Sequence, residues 1–159
     1  MLHTFLNYMK ENGWTLEIYE NQNNDLSSTI TDRYKNIPKQ WSEFVETVKC
    51  MMNSDETVWF LCANDFNPQS EGAFQWNEWE KISLASAVGD KEWEDKIKTF
   101  WDNHLPIIMS VKGCYSYYAI SMKDGSVVRG AEPEFDECEI VTTSFAEFIE
   151  KIAKGELQI

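Results

Sequence analysis

Histidine is scarce in this chain of 159 residues: His3 and His104 are the only two, and they stand in separate segments. Neither has a second ligand at the spacing that zinc-binding helices use, so a histidine-based metal centre lacks its ligands and a structural role is expected for both. Cysteine occurs four times, at positions 50, 62, 114 and 138, without a close pair, which excludes a zinc knuckle and a redox dithiol. The four read as buried small hydrophobes. Cys62 in particular lies in the apolar run 58–63, where a thiol packs well and reacts poorly. The seven glycines are scattered, so no phosphate-cradling loop exists and no cofactor is expected.

Positive charge is also short. Fourteen Lys and Arg face 27 Asp and Glu, for a net charge of −13. Such a field repels phosphate backbones and anionic lipid, which disfavours nucleic-acid and membrane partners, and it attracts a basic protein partner. General solvation is the other use of an acidic surface. No apolar run approaches the length of a membrane span, and the opening Met-Leu-His-Thr lacks the basic start and apolar core of a signal peptide. The expectation is a cytoplasmic protein with reduced thiols.

What is present in quantity is aromatic and apolar residue: 43% hydrophobic and 14% aromatic, with seven Trp, nine Phe and six Tyr. A chain of this size and composition can bury roughly 70% of its unfolded surface, so one domain spanning 1–159 is expected to fold by itself. Leu2, Phe5, Leu6 and Met9 recur at helical spacing before Asn12-Gly13 and predict a short opening helix. Residues 14–20 alternate, placing Trp14, Leu16 and Ile18 toward a core from a strand, with a polar turn over 21–25. After Ile37-Pro38, Phe44, Val45 and Val48 predict a helix ending near 53–55, and 57–63 reads as a buried central strand. The stretch 64–89 reads as loop with some helix. Trp93, Ile97, Phe100 and Trp101 predict another helix, acidic at its start, with Trp93 and Trp101 as core positions; Pro106 breaks it and 107–111 reads as a strand.

The last third is the clearest. Residues 115–122 and 126–130 flank Lys123-Asp124-Gly125, a hairpin signal in which the tightest turn needs positive φ twice. A final strand over 139–143 leads to Ser144-Phe-Ala-Glu147, where Ser144 can cap the backbone N–H of Glu147 while Glu147 reaches back. Phe145, Phe148, Ile149 and Ile152 share one face, and Gly155 closes the helix.

Three features could carry function. The segment Glu132-Pro-Glu-Phe-Asp-Glu-Cys-Glu139 puts five acids in eight residues, so Glu132, Glu134, Asp136 and Glu137 form either a solvated loop or a docking site for Lys and Arg. Trp76 and Trp79 lie in a polar, acidic stretch and are either core cover or anchors of a binding surface. Twenty-seven carboxylates and seven tryptophans also leave room for a small carboxylate-dependent hydrolase, although no single carboxylate stands out as desolvated. A Cys–His nucleophile pair is open on composition alone.

Ile37-Pro38 with Trp41 and Phe44, then a core strand, Leu105-Pro-Ile-Ile108, the Tyr-rich run 115–120, Gly125, Gly130 with Glu132-Pro-Glu-Phe135, and Ser144-Phe-Ala-Glu-Phe148 follow one another in an order that resembles the SUKH superfamily. The family includes yeast cell-wall assembly regulators and many bacterial proteins. The resemblance covers about 34–155. It implies an α+β fold with a central, largely antiparallel sheet and helices packed around it. It also implies binding rather than catalysis, chiefly immunity proteins that neutralise a cognate toxin, often a nuclease, with a regulatory or scaffold role of the yeast type as the alternative. Gly113-Cys114-Tyr115 departs from the family, whose strand after the Ile-Pro-Ile-like motif often carries Gly with an acidic residue, and 64–89 has no counterpart.

Overall fold

Tyr117 and Tyr118 are successive residues on one strand, and successive strand side chains point to opposite faces. In the computed structural model, which describes residues 1–21, 26–67 and 74–159, Tyr117 packs on Trp101 at 4.9 Å and Tyr118 on Phe148 at 5.2 Å, between ring centroids. Trp101 and Phe148 belong to helices on the two sides of one sheet. The result is an α+β fold of three layers, as the sequence predicts.

Among the described residues the sheet has seven strands: β1 (Thr15–Ile18), β2 (Val48–Met52), β3 (Val58–Phe60), β4 (His104–Ser110), β5 (Ser116–Ser121), β6 (Val127–Ala131) and β7 (Cys138–Thr142). They lie side by side in chain order, each antiparallel to the next. Six helices among the described residues cover it: α1 (Leu2–Glu11), α2 (Ser28–Arg33), α3 (Lys39–Thr47), α4 (Glu78–Ser86), α5 (Lys91–Asp102) and α6 (Phe145–Ala153). On one face Phe5 of α1, Phe44 of α3 and Phe145 of α6 converge on a core that includes Phe60. On the other, Trp79 of α4 and Trp101 of α5 cover Tyr115 and Tyr117.

The ending follows the sequence closely. Ser144 Oγ accepts from the Glu147 backbone N–H at 3.2 Å, and Glu147 reaches back one residue further than expected, accepting from the backbone N–H and hydroxyl of Thr143. Gly155, at φ +70°, lets the Glu156 N–H donate to the Lys151 carbonyl and close α6. The β5–β6 hairpin is present, but only Gly125 takes positive φ. The turn has four residues, 122–125, between Ser121 and Ser126, and Asp124 accepts from the Ser126 N–H and hydroxyl instead of adopting the left-handed form.

Four expectations are corrected. The helix predicted to run to 53–55 stops at Thr47, because Val48 turns extended and 48–52 becomes β2, held between β1 and β3; sheet partners override helical spacing. Asn53 then closes a turn, its Oδ1 accepting from the Thr57 and Val58 N–H groups. Ile18 does not face the core: a register shift after Glu17 breaks the alternation and leaves it 57% exposed. Pro106 sits inside β4, where a register shift against β5 accommodates its missing donor. Trp93, read as core, is 43% exposed on α5, whereas Trp101 is buried. In addition, α2 had no sequence signal strong enough to be read. The polar turn over 21–25 lies largely outside the described residues, as does the middle of 64–89; the described remainder of the latter includes a 3₁₀ turn at Ala63–Phe66 and α4.

Candidate functional site

The acidic segment connects β6 to β7, and its one aromatic residue organises it. Phe135 is buried, its ring parallel to Trp79 at 5.6 Å, and its carbonyl accepts from the Tyr117 hydroxyl. Glu132 is fastened to the start of β5 twice: its N–H donates to the Tyr115 carbonyl, and its carboxylate accepts from the Tyr115 N–H, both at 2.8 Å. The Glu137 N–H donates to the Glu134 carbonyl at 3.0 Å. With Phe135 plugged inward, Glu134, Asp136 and Glu137 are left facing water, and Glu132 is exposed beside them. In the sequence Phe135 stands only as part of the Glu132-Pro-Glu-Phe135 motif, and this anchoring role is not expected from it. The signal for it was a single aromatic residue within a run of acids.

Two grooves flank the loop. One, of about 440 Å³, is lined by Arg129, Glu132, Glu134, Glu137, Cys138 and Glu139. The other, of about 530 Å³, lies between the loop and α5 and is lined by Glu92, Asp95, Lys96, Thr99, Phe100 and Asp136. Seven carboxylates thus line the two grooves against two cations, and both cations already have acidic partners: Lys96 with Glu92 at 2.8 Å and Arg129 with Glu139 at 3.8 Å. The surface is open, anionic and unenclosed, which suits a protein partner better than a small ligand.

Trp76 and Trp79 do not belong to this surface. Trp79 is 1% exposed, stacked on Tyr115 at 4.6 Å, with its indole N–H donating to the Ser116 carbonyl at 3.1 Å. Trp76 is 9% exposed and packs on Phe66, with the Arg33 guanidinium 5.7 Å from its ring. The polarity of their sequence neighbours does not extend to the rings: Trp79, on α4, packs on Tyr115, and Trp76, just before α4, packs on Phe66. Cys114 and Cys138 are corrected in the opposite sense: both are exposed, and Cys50 is partly so, leaving Cys62 as the one buried thiol of the four. Burial pushes the Cys62 thiol well up, away from the nucleophilic thiolate.

Asp65 is a partly desolvated carboxylate, which the sequence does not single out. Burial raises the pKa of Asp65, partly offset by the Cys62 backbone N–H that it accepts from at 2.7 Å. That bond caps the 3₁₀ turn, and the neighbouring cavity is only about 120 Å³, lined by Lys49, Trp59 and Phe60 among others. His104 is a packed residue: it stacks on Phe100 at 4.1 Å, its Nδ1 lies 2.8 Å from the Phe100 carbonyl, and burial lowers its pKa. Among the described residues, no three His, Cys, Asp or Glu side chains group as metal ligands, and no helix is long and apolar enough to cross a membrane. Compared with family models, curated proteins and solved structures, the chain matches none of them.

Proposed function

We propose that this chain is a non-enzymatic binding protein of the SUKH immunity type, which neutralises a basic, nuclease-like toxin by covering it with the β6–β7 loop and its flanking grooves. The observation that carries the reading is the exposure of Glu132, Glu134, Asp136 and Glu137 on a loop whose backbone is pinned by Phe135 and Glu132. Pinning matters because mutual repulsion would otherwise spread the acids apart, and a preformed anionic surface loses little entropy on association. A nuclease presents cations where its nucleic-acid substrate sits, so the same field that repels phosphate accelerates encounter with such a groove.

The test is capture of the partner from the native source, followed by association kinetics against ionic strength. A fast, salt-sensitive on-rate is expected, falling about tenfold or more when the four loop acids are changed to Lys. A partner that binds the charge-reversed loop equally well overturns the reading. Location of the gene beside that of a toxin separates the immunity role from a regulatory scaffold.

A further inference from the structure

A terminal strand of a sheet presents a row of unpaired backbone N–H and C=O groups, and proteins usually guard such edges with balanced charge, bulges or covering segments. Both edges of this sheet carry such devices. At β1, Glu17 is paired with Lys49 at 3.0 Å and a register shift interrupts the strand after Glu17; at β7, Glu139 is paired with Arg129 at 3.8 Å and the register with β6 shifts between Val127 and Val128. At β7, among the described residues, pairing is with β6 alone, and Cys138, Glu139 and Ile140 are all exposed. Over these three positions the register with Gly130, Arg129 and Val128 is unbroken. Ile140 is 68% exposed, an apolar β-branched residue on the edge strand that the acidic loop leads into; Ile18 on β1 is exposed as well, at 57%.

The two faces of this edge are chemically distinct. Glu139 pairs in register with Arg129, which pairs with Tyr118, so Glu139 lies on the α6 face. There a groove of about 400 Å³ adds Lys112, Val141, Leu157 and Ile159. Ile140, one residue on, lies on the opposite face with Val128. Glu137 immediately precedes the strand.

We propose that the edge of β7 accepts an extended segment of the basic partner as an eighth strand, with apolar side chains beside Ile140 alternating with Lys or Arg beside Glu139 and Glu137. This deepens the binding reading above, on which it rests, by naming backbone pairing as the mode and an alternating cationic–apolar strand as the ligand. Cross-strand neighbours on each face then match: aliphatic against aliphatic on one side and opposite charges on the other. A second copy of this chain is the poorer occupant, because it would bring another −13 and another set of loop acids to the same edge.

The probe is a short, end-blocked peptide alternating lysine and valine. It is compared with an isomer of the same composition in which the lysines and valines are segregated, and with the alternating peptide N-methylated on every second residue. Binding is read by titration, and location by amide hydrogen exchange of the full chain. The alternating peptide is expected to bind and to slow exchange across Cys138–Thr142, with the two controls weaker by about tenfold. Ile140→Thr, neutral and strand-competent, should weaken the alternating peptide several-fold while leaving the amides of Ser116–Ser121 as protected as in the wild type. Equal binding of the N-methylated or segregated peptide overturns edge pairing but leaves charge-driven docking on the loop intact, so the two readings fail separately. Self-association of the free protein through β7, seen as a dimer with those amides protected, overturns the proposal in favour of a second copy.

Discussion

Gly130 shows how closely the loop and the second core layer are fitted. It sits opposite Tyr117 in the β5–β6 register, and a Cβ built on it would reach the Tyr117 hydroxyl and lie 2.7 Å from ring carbons Cε1 and Cζ. The ring has no room to retreat, since it packs on Trp101 and is hydrogen-bonded to the Phe135 carbonyl. Gly130→Ala should therefore destabilise the fold by about 1–3 kcal/mol in urea unfolding, as overpacking does, and disturb the acidic loop in the same stroke. Glu147 offers a second single-residue test. The Thr143 hydroxyl, with help from Lys151 and the Thr143 N–H, holds its carboxyl down at about 2, against an ordinary 4.5. A carboxyl depressed in the folded state stabilises fully above its unfolded pKa, and that contribution is lost as pH falls through the folded one. Wild type should thus melt above Glu147→Gln at pH 7, and the gap should close between about pH 4.5 and pH 2; a gap independent of pH would refute the charge-based account.

At the scale of elements, α2, α4 and α5 are tied by one guanidinium. Arg33 makes two 2.8 Å bonds to Glu80 and a third, from Nε, to Asp102. Burial works against its charge, yet the bond to Glu80 and the charges around it hold its pKa above the ordinary value. Glu80 is itself buried, so Glu80→Ala leaves a half-shielded cation with Asp102 as its remaining partner and should cost about 2–3 kcal/mol. The double change Arg33→Met with Glu80→Leu should recover most of that loss, and a thermodynamic cycle of the three variants measures the coupling. Nothing in the sequence announced this cluster, because its members lie 47 and 69 positions apart. Local signals behaved otherwise. Ser144 with Glu147, the apolar face of α6 and the spacing of Trp101 and Ile97 all translate directly into structure, since caps and helical faces are decided within a few residues. Expectation failed where a distant partner decides: Val48 to Met52 became strand because β1 and β3 flank it, and the choice the sequence left open for Trp76 and Trp79 was likewise decided by rings from elsewhere in the chain. The acidic loop was legible as charge, but the Phe135 plug that fixes its shape was not.

On the scale of the whole molecule, the question is whether the −13 charge is spread for solvation or concentrated for a partner. Self-repulsion destabilises a compact state, and crowding of like charges makes it worst where they are held close by a rigid backbone. Two variants separate the cases. In one, the loop is neutralised by Glu132→Gln, Glu134→Gln, Asp136→Asn and Glu137→Gln; the amide oxygen introduced at position 132 can still accept from the Tyr115 N–H. In the other, the exposed acids Glu11, Glu20, Asp55 and Glu156, dispersed over the surface, are changed in the same way. Each variant loses four negative charges from −13 and so carries −9, which matches bulk solvation between them. If the loop is a charge cluster kept at a cost in stability for the sake of binding, neutralising it should raise the melting temperature by a few degrees at about 10 mM salt, against little change for the dispersed set. That advantage should fade by about 0.5 M salt, where the screening length shrinks to a few ångströms. Equal gains in the two variants would mean that the acids act as general solvation, and the loop would lose its claim to be the binding surface.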